Sequence, residues 1–484
     1  MEIVHLASEF APFAKIGGLA DVVASLAKAT SQQGHKVTVF LPKYEGLFPD
    51  AKMVFPEVIS YDGPYPIRNK IWEMNLNGMR LLLLETEHTG QYFGRGKIYG
   101  DKDDLDRFFF FCRTALEALF KMGIKPDILH LHDWPTALAA VLYRDMYYGL
   151  GMRIKGVVLT IHNLEHQGKC HPKDVTRTGL RGDDLLRPDK LQDPQRPDLL
   201  NALKGAIIYS DFVTTVSPNY AKEIQTHDGG CGLHEILRAN NHKLQGIING
   251  LDLDYWNPKT DLLLTGHYDI ETYPTGKEIN RKELSAEFRL RGKKAPLVCA
   301  IARLVPQKAP DLIEHALQKT LEMGGQFFLL GSSPTPEMEN RFHALQKKLA
   351  RNKNVAFCFD QNEALAHQVY AASDMIVIPS LFEPCGLTQM IGQHYGTVPI
   401  VRATGGLVDT VIDQENGFTF LYPDSAGVDW ALSQAFTCYE KNPTKWQAIV
   451  RKGMQTDFSW KKPVTAYLNI YKRLAEESPI KLSA

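Results

Sequence analysis

Short apolar runs alternate with helix-length amphipathic stretches along this chain, and the alternation occurs in two separate series. Such alternation predicts parallel strands joined by helices that cover both faces of a sheet. The strand candidates of the first series are 3–7, 36–41, 80–84, 128–132, 156–161 and 212–216. Its helix candidates are 20–33, 104–122 and 136–148, each followed by a glycine that can end a helix.

The second series begins after residues 249–252, beyond a stretch that carries several prolines and glycines and little periodicity. Its strand candidates are 297–302, 327–330, 355–359 and 375–378, and its helix candidates are 311–323, 337–350 and 363–372. A single core stops growing at about 250–300 residues, so the length of 484 residues also favours two domains. The sequence therefore predicts an α/β fold with two Rossmann-like domains.

The composition argues against several classes of protein. Lys plus Arg and Asp plus Glu number 55 each, so no net charge draws the chain to nucleic acid or to an anionic membrane. No apolar run approaches the roughly 20 residues of a membrane-spanning helix, and no basic, apolar leader opens the chain. The seven cysteines are scattered without a Cys-x-x-Cys pair, which argues against disulfides and zinc. We expect a soluble, cytoplasmic protein with no nucleic-acid or membrane partner and no bound metal.

A glycine-rich turn joins the first strand to the first helix. It contains Lys15, Gly17, Gly18 and Asp21. Backbone N–H groups and the helix dipole favour an anion at such a turn, although a tight turn without a ligand would use the same residues. The spacing is not Gly-x-Gly-x-x-Gly, which disfavours a nicotinamide site.

Polar side chains follow two further strands of the first series. His132, Asp133 and Trp134 come after one strand, and His162 and Asn163 after another. Ligands of open α/β sheets bind at the carboxyl ends of the strands. Each group alone could be a packed loop, but three loops at one edge of a sheet favour a site.

The second series places two cations at the start of a helix. Arg303 and Lys308 lie five residues apart between a strand and a helix, which suits a diphosphate, although a solvated basic turn is the alternative. Glu383 also follows a strand and, if buried, needs hydroxyl or cationic partners. Cys385 is expected to be a small packing residue, and the glycines at 404–407 form either an anion-binding turn or a structural one.

In this order, these segments resemble bacterial glycogen synthases and plant starch synthases over nearly the whole chain. The motifs are Lys-x-Gly-Gly-Leu-Ala-Asp at 15–21, His-Asp-Trp at 132–134, His-Asn-Leu-x-x-Gln-Gly at 162–168, Gly-Cys-Gly-Leu at 230–233, Asn-Gly-Leu-Asp at 249–252, Arg-Leu-x-x-Gln-Lys at 303–308, Glu-Pro-Cys-Gly-Leu-Thr-Gln at 383–389 and Thr-Gly-Gly-Leu-x-Asp at 404–409. One departure is Ala309, where that family commonly has glycine.

The resemblance implies a GT-B fold, in which two Rossmann-like domains with parallel sheets face a central cleft. Residues 1–252 would form the acceptor-side domain, residues 253–462 the nucleotide-sugar-binding domain, and a C-terminal helix at 463–484 would cross back to the first domain. It further implies retaining transfer of glucose from ADP-glucose to the 4-hydroxyl end of glycogen or a maltooligosaccharide, with no cofactor and no metal.

The same resemblance assigns roles to the candidate residues. Arg303 and Lys308 would neutralise the departing ADP, Glu383 would hold glucose hydroxyls, His162 would line the glucosyl site, and Asp133 would lie on the acceptor side. The residues expected to bind substrate are Lys15, Gly17, Gly18, Asp21, Asn249, Cys385, Gly386, Leu387 and Thr388.

Two other functions fit parts of this pattern. A sucrose- or trehalose-type synthase would use the same donor chemistry on a small acceptor, but related enzymes with a Glu-x7-Glu motif need a second Glu eight residues after Glu383, where Ile391 stands. A catalytically silent glucan-binding protein would keep the fold, but the presence of Arg303, Lys308 and Glu383 argues against it.

Overall fold

The computed structural model describes residues 1–291, 295–333, 335–360 and 362–476. The chain divides into two compact units, one of Met1–Gly250 with the chain from Trp460 onward, and one of Leu251–Ser459. The boundaries expected from the sequence lie after residues 252 and 462. The last part of the expected C-terminal helix, 477–484, lies outside the described residues.

The first unit is built around a mainly parallel sheet. Its strands are β1 (Glu2–Leu6), β2 (Lys36–Pro42), β3 (Lys52–Asp62), β4 (Tyr65–Leu76), β5 (Met79–Thr86), β6 (Ile128–His132), β7 (Gly156–Ile161), β8 (Lys169–Cys170), β9 (Leu200–Asn201), β10 (Phe212–Thr215) and β11 (Leu244–Gly246). Nine of them form one sheet in the order β11-β10-β7-β6-β1-β2-β5-β4-β3, and β8 pairs with β9. The parallel strands β1, β6 and β7 are buried almost throughout, as strands covered on both faces must be.

The helices of this unit connect its strands. They are α1 (Gly18–Gln32), α2 (Asp104–Lys121), α3 (Trp134–Leu142), α4 (Pro172–Thr176), α5 (Gly182–Leu185), α6 (Ala202–Tyr209), α7 (Pro218–Glu223) and α8 (His234–Ala239). The helix expected at 136–148 is α-helical only to Leu142 and continues as a π-helical segment, Tyr143–Tyr147.

The hairpin of β3 and β4 was not predicted from the sequence. It pairs antiparallel with β5 and ends the sheet, with β3 as the edge strand. Most of β3 is exposed, so it lacks the apolar alternation that marks a strand. Pro56 lies at a register shift between Phe55 and Val58, which is where an edge strand tolerates a residue without an N–H.

The second unit, in the part that the structure describes, repeats the architecture of the first with six parallel strands. Its strands are β12 (Leu297–Ile301), β13 (Gln326–Leu330), β14 (Val355–Cys358), β15 (Met375–Ile378), β16 (Val398–Arg402) and β17 (Phe418–Phe420), in the sheet order β14-β13-β12-β15-β16-β17. Its helices are α9 (Tyr273–Glu287), α10 (Pro310–Glu322), α11 (Pro336–Lys348), α12 (Glu363–Ala372), α13 (Thr388–His394), α14 (Gly405–Thr410), α15 (Ser425–Lys441) and α16 (Pro443–Gln455). The predicted α/β class with two Rossmann-like sheets is confirmed.

The C-terminal helix α17 (Lys461–Glu476) packs on the first unit. The apolar stripe of this helix consists of Val464, Tyr467, Leu468, Tyr471 and Leu474. It is buried in a cluster with residues of α1, β1, β6 and β7. The predicted return of the C-terminal helix to the first domain is therefore confirmed. Within the described residues, no helix is long and apolar enough to cross a membrane.

Candidate active site

The glycine-rich turn at the start of α1 is held by the chain's own carboxylates. The Lys15 ammonium lies 2.9 Å from Asp21 Oδ1. The backbone N–H groups of Ile16 and Gly17 donate to Glu9 Oε2 at 2.7 and 3.0 Å. The Gly17 amide, predicted to bind an anion, is therefore already engaged by the buried Glu9. Of the groups on this turn that were predicted to donate hydrogen bonds to an anion, Lys15 and the amide of Gly18 remain as candidates.

Asp133 holds the loop that follows β7. Its Oδ1 accepts the backbone N–H of His162 at 2.6 Å and that of Asn163 at 3.3 Å. The Asp133 backbone has φ +57°, a conformation that few residues other than glycine adopt. Burial raises the pKa of Asp133 to about 7, and the two N–H donors oppose that rise. The carboxyl that was expected on the acceptor side thus positions the backbone of His162.

His162 is joined to a row of buried histidines. Its Nε2 lies 3.0 Å from His132 Nδ1, and His132 Nε2 lies 3.0 Å from His5 Nδ1. Beside this row, His130 Nδ1 contacts the hydroxyl of Tyr471 on α17 at 2.7 Å, and its Nε2 contacts a buried threonine hydroxyl.

Three of these histidines could in principle hold a metal ion. His5, His130 and His132 each offer a nitrogen within 4.8 Å of the others. Five of their six ring nitrogens, however, already make hydrogen bonds to protein groups, and only His5 Nε2 lacks a partner among the described residues. A metal would have to break several of these bonds, so the donor set fits a hydrogen-bond network better than a metal centre.

In the second unit, the structure brings Lys308 and Glu383 together. Lys308 lies in a 3-10 turn after β12, and its ammonium forms an ion pair with the Glu383 carboxylate after β15. Glu383 is buried and also accepts the Ser380 hydroxyl at 2.8 Å. The Arg303 guanidinium is exposed and makes no ion pair or hydrogen bond with any residue that the structure describes. The buried carboxylate thus has the cationic and hydroxyl partners that burial requires.

The glycines at 404–407 have a structural explanation. A Cβ at Gly405 would lie 1.9 Å from the Glu383 carbonyl oxygen, and one at Gly406 would lie 2.4 Å from that of Cys385. Gly405 also has φ +49°. Only glycine lets this turn approach the 383–385 loop so closely, which favours the structural interpretation left open by the sequence.

The remaining predicted residues occupy loops in their own units. Cys385 is buried, Gly386 has φ +75°, and Leu387 and Thr388 lead into α13. Asn249 is buried, and its Oδ1 has no hydrogen-bond partner among the described residues.

Sequence reasoning missed four residues that contact the predicted ones. They are His5, Glu9, His130 and Ser380. A signal existed for two of them, because His5 and His130 pair across β1 and β6 and interrupt strands that are otherwise apolar. Polar side chains that face each other inside a buried parallel sheet need partners there.

Comparison with known proteins identifies the family. Residues 2–239 match the model of the starch synthase catalytic domain, and residues 281–452 match that of glycosyl transferases group 1. The chain is 43% identical to glycogen synthase from Protochlamydia amoebophila, covering 99% of this chain and 100% of the relative. It is 44% identical to probable starch synthase 4 from Arabidopsis thaliana, covering 97% of this chain and 47% of that longer protein.

Solved structures agree with this assignment. The catalytic domain of Arabidopsis thaliana starch synthase IV, bound to ADP and acarbose, superposes with a TM-score of 0.95 at 44% identity, covering 98% of this chain and 99% of that one. A sucrose-phosphate synthase from Thermosynechococcus elongatus, at 18% identity and a TM-score of 0.63, shares the fold. Because the chain is 43% identical to a glycogen synthase over that relative's full length, it belongs to the glycogen and starch synthase family of GT-B glycosyltransferases.

Proposed function

We propose that this protein transfers glucose from ADP-glucose to the non-reducing 4-hydroxyl end of an α-1,4-glucan, with retention of the anomeric configuration. Full-length similarity to a glycogen synthase supports the reaction. The ADP and acarbose bound by the plant catalytic domain support the donor and the acceptor. The observation that carries the proposal is the ion pair of Lys308 with the buried Glu383, which places a cation next to a carboxylate able to bind sugar hydroxyls.

In this reaction the bond between glucose C1 and the diphosphate breaks, and ADP leaves with the electron pair. The acceptor O4 bonds to C1 on the same face, and its proton passes to an oxygen of the departing diphosphate. Arg303 and Lys308 neutralise the charge that develops on ADP, an effect that is largest where water is excluded. Glu383 accepts hydrogen bonds from glucose hydroxyls, and the backbone amides that lead into α13 at Leu387 and Thr388 bind phosphate oxygens.

The first unit contributes a separate set of groups. Lys15, oriented by Asp21, and the Gly18 amide bind an anionic part of the substrate. The ring of His162 contacts a glucosyl hydroxyl, and Asp133 keeps the His162 backbone in place. Asn249 offers a buried amide oxygen that has no partner within the described chain.

We further propose that transfer needs no metal and takes place in the cytoplasm. The cations Arg303 and Lys308 can neutralise the diphosphate in place of a metal. All seven cysteines are free thiols, as is usual in a reducing compartment.

A donor and acceptor screen tests the proposal. The purified protein would be given ADP-glucose or UDP-glucose, with glycogen, maltoheptaose, fructose or glucose as acceptor. We expect nucleotide release with ADP-glucose that is coupled to elongation of glycogen and maltoheptaose. Transfer to fructose or glucose alone would indicate the small-acceptor alternative, and binding of glycogen without donor turnover would indicate a silent glucan-binding protein.

A further inference from the structure

Three histidine rings form a hydrogen-bonded chain from the core of the first unit to His162. His5 lies on β1 and His132 at the end of β6, while His162 follows β7 directly. His5 Nδ1 contacts His132 Nε2, and His132 Nδ1 contacts His162 Nε2, both at 3.0 Å. His5 and His132 belong to neighbouring strands of one sheet, and His162 directly follows the next strand, so rigid backbone fixes their spacing.

Each of these three imidazole rings is neutral at physiological pH. Burial lowers the pKa of His5 and of His162 to about 3. Burial, together with the three neighbouring imidazoles of His130, His162 and His5, lowers the pKa of His132 well below its ordinary value. A neutral imidazole carries one N–H and one acceptor nitrogen. His132, which contacts a ring on each side, must therefore donate to one neighbour and accept from the other.

Only two proton arrangements satisfy both contacts. In the first, His5 Nδ1–H donates to His132, and His132 Nδ1–H donates to Nε2 of His162. In the second, His162 Nε2–H donates to His132, and His132 Nε2–H donates to Nδ1 of His5. The second arrangement leaves the proton of His5 on its Nε2.

The surroundings of His5 select between these arrangements. His5 Nε2 is buried and has no hydrogen-bond partner among the described residues. A buried N–H without an acceptor is rarer than a buried acceptor without a donor. The first arrangement leaves only a lone pair at this nitrogen. Each ring N–H therefore donates in the direction from His5 to His162.

We propose that His5 and His132 are positioning residues that hold His162 in the tautomer with its proton on Nδ1. That nitrogen makes no hydrogen bond to any part of the chain that the structure describes, and it is the one available to substrate. His162 then acts as a hydrogen-bond donor to an oxygen of the glucosyl group, and cannot act as an acceptor. The assignment of this oxygen rests on the proposed function, whereas the tautomer does not.

The tautomer can be measured without any activity. The protein would be labelled with 15N-histidine, and long-range 15N–1H correlation spectra would report which ring nitrogen of each histidine carries the proton. A His162→Gln variant identifies the His162 signals by their loss. We expect the Nδ1–H pattern for His162, and an Nε2–H pattern would overturn the proposal whether or not the protein is a synthase.

Two substitutions of His5 test its effect on turnover. Asn places an amide N–H where His5 Nδ1 lies, whereas Phe fills similar space without a donor. Loss of a partner that orients a functional histidine costs about 10–100-fold in metal sites. We expect His5→Phe to lower kcat for glucosyl transfer about tenfold, with little change in KM, and to shift His162 towards the Nε2–H tautomer.

His5→Asn should restore most of kcat and the Nδ1–H pattern of His162. Equal loss of kcat in both variants, or a change in KM alone, would show that His5 serves packing and would overturn its positioning role. If His5→Phe does not fold, the wild-type tautomer and the kcat of His5→Asn still decide the proposal.

Discussion

At the scale of single residues, Ala309 shows how a local departure from the family pattern is accommodated. It precedes α10, directly after Lys308, with φ +49°. A side chain in this left-handed conformation is strained by about 1 kcal/mol relative to glycine. We expect Ala309→Gly to raise the free energy of unfolding of the second unit by about that amount, as measured by urea denaturation.

A matched substitution separates this effect from the general cost of glycine. Ala344 is exposed within α11, where glycine costs about 1 kcal/mol relative to alanine. Ala344→Gly should therefore destabilise the unit. The interpretation of Ala309 as strained is wrong if both variants lose stability.

Asp133 gives the molecule a dependence of stability on pH. Its pKa is raised by burial to about 7 from 3.8, so the folded state keeps a proton that the unfolded state loses near pH 4. The contribution of this carboxyl to the free energy of unfolding is fully present below pH 4 and is lost as the pH rises to 7. Asn at position 133 accepts the same backbone N–H groups without ionising. The difference in free energy of unfolding between Asp133→Asn and wild type should therefore shift by about 2–3 kcal/mol in favour of the variant from pH 5 to pH 8.

Thermal unfolding of both proteins at the two pH values measures this difference. Because other ionisable groups are common to both proteins, their contributions cancel in the comparison. A difference between variant and wild type that does not change with pH would mean that Asp133 is ionised throughout this range.

The sequence could predict the chemistry of single site residues but not their partners. Lys308 and Glu383 stood out by residue type and by position after a strand. They lie 75 residues apart in the chain, and only the order of β12 and β15 in the sheet brings them together. Likewise, nothing near Gly17 in sequence shows that the Glu9 carboxylate takes its amide.

At the scale of secondary-structure elements, the C-terminal helix depends on a close approach to β7. A Cβ on Gly156 would lie 2.7 Å from Leu474 Cβ on α17 and 3.2 Å from Ile128 Cδ1 on β6. Overpacking of this kind costs about 1–3 kcal/mol. We expect Gly156→Ala to lower the free energy of unfolding of the first unit by about that amount.

Gly94 provides the control for this substitution. The nearest atom to an added Cβ there is a carbonyl oxygen at 4.0 Å, so Gly94→Ala should leave stability nearly unchanged. Unfolding followed by tryptophan fluorescence would compare the two variants. Equal stability of both variants would show that α17 can move away from β7 at no cost.

Periodicity predicted elements that are covered on one or both faces by the core. The α17 stripe is regular because every member is buried in one cluster. The edge hairpin β3–β4 was not predicted, because most residues of β3 are exposed and few residues of β4 are fully buried. Its strands follow from pairing with β5 and not from their own pattern. The π-helical segment after α3 likewise has no sequence signal that we could identify.

At the scale of the whole molecule, the proposal that transfer needs no metal is tested on the complete reaction. The cations assigned to the diphosphate are protein side chains, and most ring nitrogens of the buried histidines are already occupied. We expect EDTA to change the rate of glucosyl transfer by less than about twofold, whereas an enzyme that relies on metal-ion catalysis would lose most of its activity. A strong loss of rate that magnesium restores would contradict the metal-free mechanism.

The most direct test of the whole account is the turnover of Lys308→Ala in the elongation of maltoheptaose by ADP-glucose. A cation aimed at charge that develops in the transition state contributes about 10²-fold or more to kcat. Lys282→Ala is the control, because Lys282 is an exposed lysine on α9 of the same unit. We predict that Lys308→Ala loses about 10²-fold in kcat while Lys282→Ala keeps wild-type turnover, and near-normal turnover of Lys308→Ala would contradict the account.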